Sequence, residues 1–138
     1  MPGSGDEEAA RRWLVFVGED LRMGELALGE ALYNQVCFHA HQAAEKALKA
    51  LIAYGGADPP KTHNLTDLLT ISKRIEPDLA RLGEDLDSLE TYYIPVRYPD
   101  APPGSLPEGL PGEANAGEAL TIAKNTSMLV ERTIQAPG

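Results

Sequence analysis

The sequence predicts an all-α protein, an up-and-down bundle of about five helices with a long Pro/Gly-rich loop before the last one. Three observations carry that prediction. Apolar residues recur three or four apart through most of the chain, the period of a helix with one buried face. No stretch alternates apolar and polar residues long enough to suggest a strand. Prolines and glycines gather between the periodic segments rather than within them, where they punctuate the chain.

Residues 1–6 form a flexible tail, and 7–135 form a single helical domain. Asp6 caps the first helix, and Glu7 and Glu8 suit its positive end. That helix spans about Glu7 to Leu28, with Trp13, Phe16, Val17, Leu21 and Leu28 at helical spacing and Gly24 as a close-packing position. Gly29 is the expected break. The second helix then runs from about Glu30 to Tyr54 and ends at Gly55-Gly56 in a left-handed cap, with Asp58-Pro59-Pro60 preventing continuation. So short a connection favours an antiparallel pair. Thr62 or Asn64 caps a third helix through Leu65, Leu68, Leu69 and Ile75. Pro77 closes it or opens the fourth, which carries Leu79, Leu82, Leu86, Leu89, Tyr92 and Tyr93 until Pro95 stops it. Pro99 to Gly112 holds five prolines and three glycines in fourteen residues, a composition that sustains neither helix nor strand. The last helix runs from about Glu113 to Ile134 on Ala116, Leu120, Ala123, Ser127, Val130 and Ile134.

Composition limits the function. The 138 residues carry a net charge of −9, which argues against broad nucleic-acid binding, because phosphate contacts need a basic surface. No apolar run is long enough to span a membrane, and no secretory signal is visible. One cysteine, Cys37, cannot form an internal disulfide and reads as a small core residue in a reducing, cytoplasmic setting.

The stretch Cys37 to Ile52 is the centre of the chain. Val36, Ala40, Ala43, Ala44, Ala47, Leu48 and Leu51 make its apolar stripe, and the alanines invite a close helical neighbour. Its polar residues are dense: His41 with Glu45, Gln42 with Lys46 and Glu45 with Lys49 are each four apart and can meet on the helix surface. On the border of a buried stripe a partner or ligand would reach them. Salt-bridged helix faces are also common, and each such pair contributes only about 0.2–0.5 kcal/mol.

Three segments resemble the HEPN family (higher eukaryotes and prokaryotes nucleotide-binding domain). They are Cys-Phe-His-Ala-His-Gln-Ala-Ala-Glu-Lys-Ala-Leu-Lys-Ala-Leu at 37–51, Lys-Thr-His-Asn-Leu at 61–65, and Tyr-Ile-Pro-Val-Arg-Tyr-Pro-Asp at 93–100. The resemblance implies a dimerising helical bundle with a cleft near the dimer interface. It also implies a nucleotide ligand, or a role as helical partner of a minimal nucleotidyltransferase in a two-component, toxin–antitoxin-like system. Other members are metal-independent endoribonucleases that use an Arg, a spacer of four to six residues, and a His. Here Arg97 is followed by no histidine, and His39, His41 and His63 all precede it. That departure leaves no catalytic residue to assign, and makes an RNA-cleaving site with His63 or His41 and Arg97 the alternative, beside a dimeric scaffold with no ligand.

The candidate nucleotide-binding residues are Lys46, Lys49, His63, Arg97 and Tyr98, with His41, Gln42, Glu45 and Asp100 in support. Lysine presents a point charge to phosphate, arginine a two-pronged donor, and tyrosine a face on which a base can stack. The structural alternatives are that Lys49 pairs with Glu45, that Arg97 pairs with Asp100 or a carboxylate elsewhere, and that the tyrosines are core. No metal or cofactor is expected. His39 and His41 point to different sides of a helix, and His41 with Glu45 supplies only two ligands, which become a conceivable site only with His63 added.

Overall fold

The structure, a computed structural model, describes the backbone of residues 5–97 and 110–135, and their side chains except those of 94–97. Among the described residues there are five α-helices and one 3₁₀ segment: α1 (Glu7–Gly29), α2 (Tyr33–Tyr54), α3 (Leu65–Ile75), the 3₁₀ segment Pro77–Leu82, α4 (Gly83–Arg97) and α5 (Glu113–Gln135). There is no strand among the described residues. None of their helices is long and apolar enough to cross a membrane.

Local chemistry accounts for most boundaries. The Asp6 carboxylate accepts from the Ala9 N–H at 2.8 Å and starts α1. Asn64, rather than Thr62, starts α3 by accepting from the Asp67 N–H at 2.9 Å. Pro77 opens the 3₁₀ segment behind Glu76, whose side chain accepts from Asp78 N–H, so the leucines 79 and 82 precede α4 instead of belonging to it. At the end of α2 the left-handed residue is Gly56, at φ 95°, which lets the Ala57 N–H reach back to the Ile52 carbonyl.

Two further boundaries differ from the sequence expectation. The break between α1 and α2 falls past Gly29: the Ala31 N–H returns to Leu28 and the Leu32 N–H to Ala27, with Ala31 itself left-handed at φ 57°. This is the closing pattern usually built on glycine, made here with an alanine two residues beyond the available glycine. Its N–H groups are spent on ending α1, so α2 begins at Tyr33 rather than Glu30. At the other end, α4 continues through Pro95 to Arg97. A proline deletes its own N–H bond, and the turn that follows still has donors with which to close.

The core is built around α2. Helices α1, α3, α4 and α5 all pack on it, and Val36, Cys37, Ala40, Ala43, Ala44, Ala47, Leu48, Leu51 and Ile52 are fully buried. Helix α5 crosses close to α1 at Gly24, where an added Cβ would lie 3.0 Å from the Leu120 Cδ1. The small residue is what permits that approach.

Candidate functional site

Helices α1 and α4 flank α2 without touching each other among the described residues. Between them runs a strip of α2 carrying Phe38, His41, Gln42, Glu45, Lys46 and Lys49. The α1 side of the strip is bounded by Trp13, Phe16 and Asp20, and the opposite side by His63, Glu90 and Tyr93.

On the α1 side, the Asp20 carboxylate holds two groups. Lys46 Nζ donates to Oδ2 at 2.6 Å, and His39 Nδ1 lies 2.9 Å from Oδ1. The Lys46 ammonium also sits 5.8 Å from the Phe16 ring centre, and the Lys49 ammonium 5.7 Å from that of Trp13. In the middle, Glu45 is 3% exposed and accepts from Lys49 Nζ at 3.0 Å, while His63 Nδ1 lies 3.1 Å from its other oxygen. The His63 side chain is 61% exposed, so it covers Glu45 from the solvent side.

Toward α4, His41 is fully buried and its ring stacks on Tyr93 with centres 3.6 Å apart and planes 11° from parallel. Its Nε2 lies 2.9 Å from Glu90 Oε1, which also accepts from the Leu65 N–H at 2.8 Å. Burial alone pushes the Glu90 carboxyl up. The hydrogen bonds from His41 and Leu65 and the adjacent His41 charge outweigh it and hold the group below the ordinary carboxylate value. One oxygen thus ties the start of α3 to α4 through α2. Among the described residues His41 Nδ1 has no hydrogen-bond partner, and it stands 3.9 Å from Glu45.

The sequence candidates therefore divide. Lys46, Lys49, His63, His41, Gln42 and Glu45 do share one strip, but they are not a row of free charges on the border of the stripe. Of the three expected pairs four apart, Glu45–Lys49 forms a bond. Lys46 reaches Asp20 rather than Gln42, and His41 reaches Glu90 rather than Glu45. The cause is that α2 is enclosed by its neighbours, so cross-helix partners are nearer than those along the helix. Arg97 is the last residue of α4, and its side chain, with all of Tyr98 and Asp100, lies outside the described residues. Among the described residues, no three His, Cys, Asp or Glu side chains are placed to hold a metal ion.

Sequence reasoning missed Asp20, Glu90 and the Tyr93 stack. A signal was present for both carboxylates. Asp20 interrupts an apolar stripe beside Val17 and Leu21, and Glu90 follows Leu86 and Leu89, so each is a charge on the packed side of its helix.

The HEPN domain family model matches residues 10–133. The chain belongs to the HEPN family. Two solved structures are similar to it. The crystal structure of TT1696 from Thermus thermophilus is 36% identical with a TM-score of 0.75, over 90% of this chain and 97% of that one. ST0689, an archaeal HEPN homologue, is 28% identical with a TM-score of 0.72, over 91% of this chain and 98% of that one. No curated protein sequence matches the chain. The HEPN bundle is thus shown by family model and by structure, as the three segments implied.

Proposed function

We propose that this HEPN protein is a non-catalytic binding module that works by protein contact. It forms a homodimer in the cytoplasm and serves as the helical partner of a minimal nucleotidyltransferase, with the α1–α2–α4 face as its working surface. One observation carries this reading: the α1 edge of that face leaves Phe16, Met23 and Leu26 each about half exposed (49%, 48% and 51%), beside a strip whose ammonium groups already have carboxylate partners. Half-exposed large apolar side chains next to satisfied charges suit a protein interface. His39 and His41 are hydrogen-bonded to carboxylates inside the bundle, which supports the non-catalytic part. The test is analytical ultracentrifugation of the wild type and Phe16→Glu, followed by co-purification from the native host with a search for a minimal nucleotidyltransferase in the captured material. A wild-type dimer that the substitution dissociates agrees with the proposal. A monomer at every concentration, with no enzyme captured, ends it.

A nucleotide on the same face is the second reading, favoured by the two lysine–aromatic pairs Lys49/Trp13 and Lys46/Phe16 and by the exposed His63. Lys46, Lys49, His63 and Arg97 would meet the phosphates, and Tyr98 would stack on the base. A ligand at 100 times its dissociation constant adds about 2.7 kcal/mol, a rise of about 9 °C in Tm for a chain of this length. A rise with ATP or GTP that disappears in Lys46→Gln supports it, and an unchanged Tm with every nucleotide rules it out.

A further inference from the structure

Away from that face, a cleft of about 320 Å³ opens between the 3₁₀ segment, the first turn of α4 and the second half of α5. Arg81, Asp85, Asn125, Met128 and Arg132 line it over a floor of Leu82 and Leu129, both 7% exposed. Asn125, Met128 or Leu129, and Arg132 recur every three or four residues of α5, so one helix face supplies most of the wall.

The two arginines set this cleft apart. Carboxylates outnumber cations in the chain, 21 to 12. Arg11, Arg12, Lys46, Lys49 and Lys124 each lie within 4 Å of one. Arg22, Lys61, Lys73, Arg74, Arg81 and Arg132 have no carboxylate that close among the described residues, and of these Arg81 and Arg132 share one cleft, which Asp85 also lines. Two guanidinium groups on one concavity place two positive charges there, and their planar donors match the oxygens of a phosphate. Asn125 adds amide donors, and Asp85 is an acceptor suited to a hydroxyl. The leucine floor and Met128 offer an apolar surface for the rest of a ligand. The volume lies at the lower end of small-molecule sites, about 300–1,000 Å³.

We infer that this cleft binds a small phosphate monoester with a hydroxyl-bearing body, held by Arg81 and Arg132 at the phosphate and by Asp85 at a hydroxyl. This is a second site, independent of the face assigned above. The probes are AMP, adenosine and inorganic phosphate, followed by isothermal titration and by amide shifts in heteronuclear NMR. The variants are Arg81→Gln, Arg132→Gln and, as controls, Lys46→Gln on the α2 strip and Arg22→Gln, an exposed arginine outside the cleft. AMP should bind with shifts centred on Arg81, Asn125 and Arg132. Each cleft substitution should weaken it about tenfold, the effect of losing one charge-assisted bond at an exposed site. Adenosine should bind at least as much more weakly, and inorganic phosphate should compete with AMP. Loss of binding in Lys46→Gln with the arginine variants unaffected overturns the inference and places the nucleotide on α2. Equal weakening in Arg22→Gln reduces it to general charge attraction, and no saturable AMP binding refutes it outright.

Discussion

Glu45 is the most informative residue to change. It is 3% exposed, with Lys49 Nζ 3.0 Å from one oxygen and His63 Nδ1 3.1 Å from the other. At an effective dielectric of about 20, unit charges at that separation attract by about 5–6 kcal/mol, most of which offsets the desolvation of the pair. Glu45→Gln keeps the shape and removes the charge, leaving an ammonium only 8% exposed with no counter-ion. Breaking a buried pair in this way costs about 3–5 kcal/mol. The lower end applies here, because the Trp13 ring 5.7 Å from the ammonium still stabilises it. A loss of about 3 kcal/mol lowers Tm by about 10 °C in a chain of this size. Calorimetry on the wild type, Glu45→Gln, Lys49→Met and the double variant measures it. The double variant should recover part of the loss, with a coupling of about 1–3 kcal/mol. A fall of less than about 2 °C for Glu45→Gln, with no coupling, would show that Lys49 draws little from Glu45. Lys49 would then be available to a ligand.

Three further outcomes follow from the same packing. Burial pushes the Cys37 thiol up to about 12, so native protein should resist alkylation at pH 8 and label only as fast as it unfolds. Asn64→Ala removes the α3 cap and should cost about 1 kcal/mol, read as a Tm lower by about 3 °C. Glu90 is held below its ordinary value, so its stabilisation is complete above the ordinary carboxylate range and is lost as pH falls through the lowered value. The Tm gap between wild type and Glu90→Gln should therefore be widest near neutral pH and close in acid. A gap that stays constant across the titration would contradict the assigned hydrogen bonds.

How much was legible in the sequence depended on the range of the interaction. Helix periodicity and capping are local, so the fold class, the Asp6 cap and the core of α2 could be read directly, and Asn64 was one of two caps in view. The break at Ala31 was not legible, because alanine carries no signal for a left-handed residue while Gly29 does. It was settled by which carbonyls of α1 needed donors. Pro95 looked like a stop because proline usually is one, whereas α4 runs two residues beyond it. The site was half legible. The spacing of Glu45 and Lys49 gave their bond, which stays within one helix. Lys46 and His41 took partners from α1 and α4, and no spacing within α2 could reveal Asp20 or Glu90 as those partners.

That difference decides what the α2 face is suited to. Among the described side chains it holds three carboxylates, Asp20, Glu45 and Glu90, against two ammonium groups, Lys46 and Lys49. A phosphate arriving there meets cations already occupied, and must displace a carboxylate from its lysine or draw on Arg97. A protein surface meets a different situation, since paired charges need no rearrangement and the half-exposed Phe16, Met23 and Leu26 gain by leaving water. At the Arg81–Arg132 cleft the order is reversed: two guanidinium groups and one carboxylate line it, leaving a local excess of positive charge. On the two proposals above, the HEPN bundle would separate two kinds of recognition, protein contact along α2 and phosphate capture at α5. Opposite effects of Phe16→Glu and Arg132→Gln on dimerisation and on AMP binding would show that separation directly.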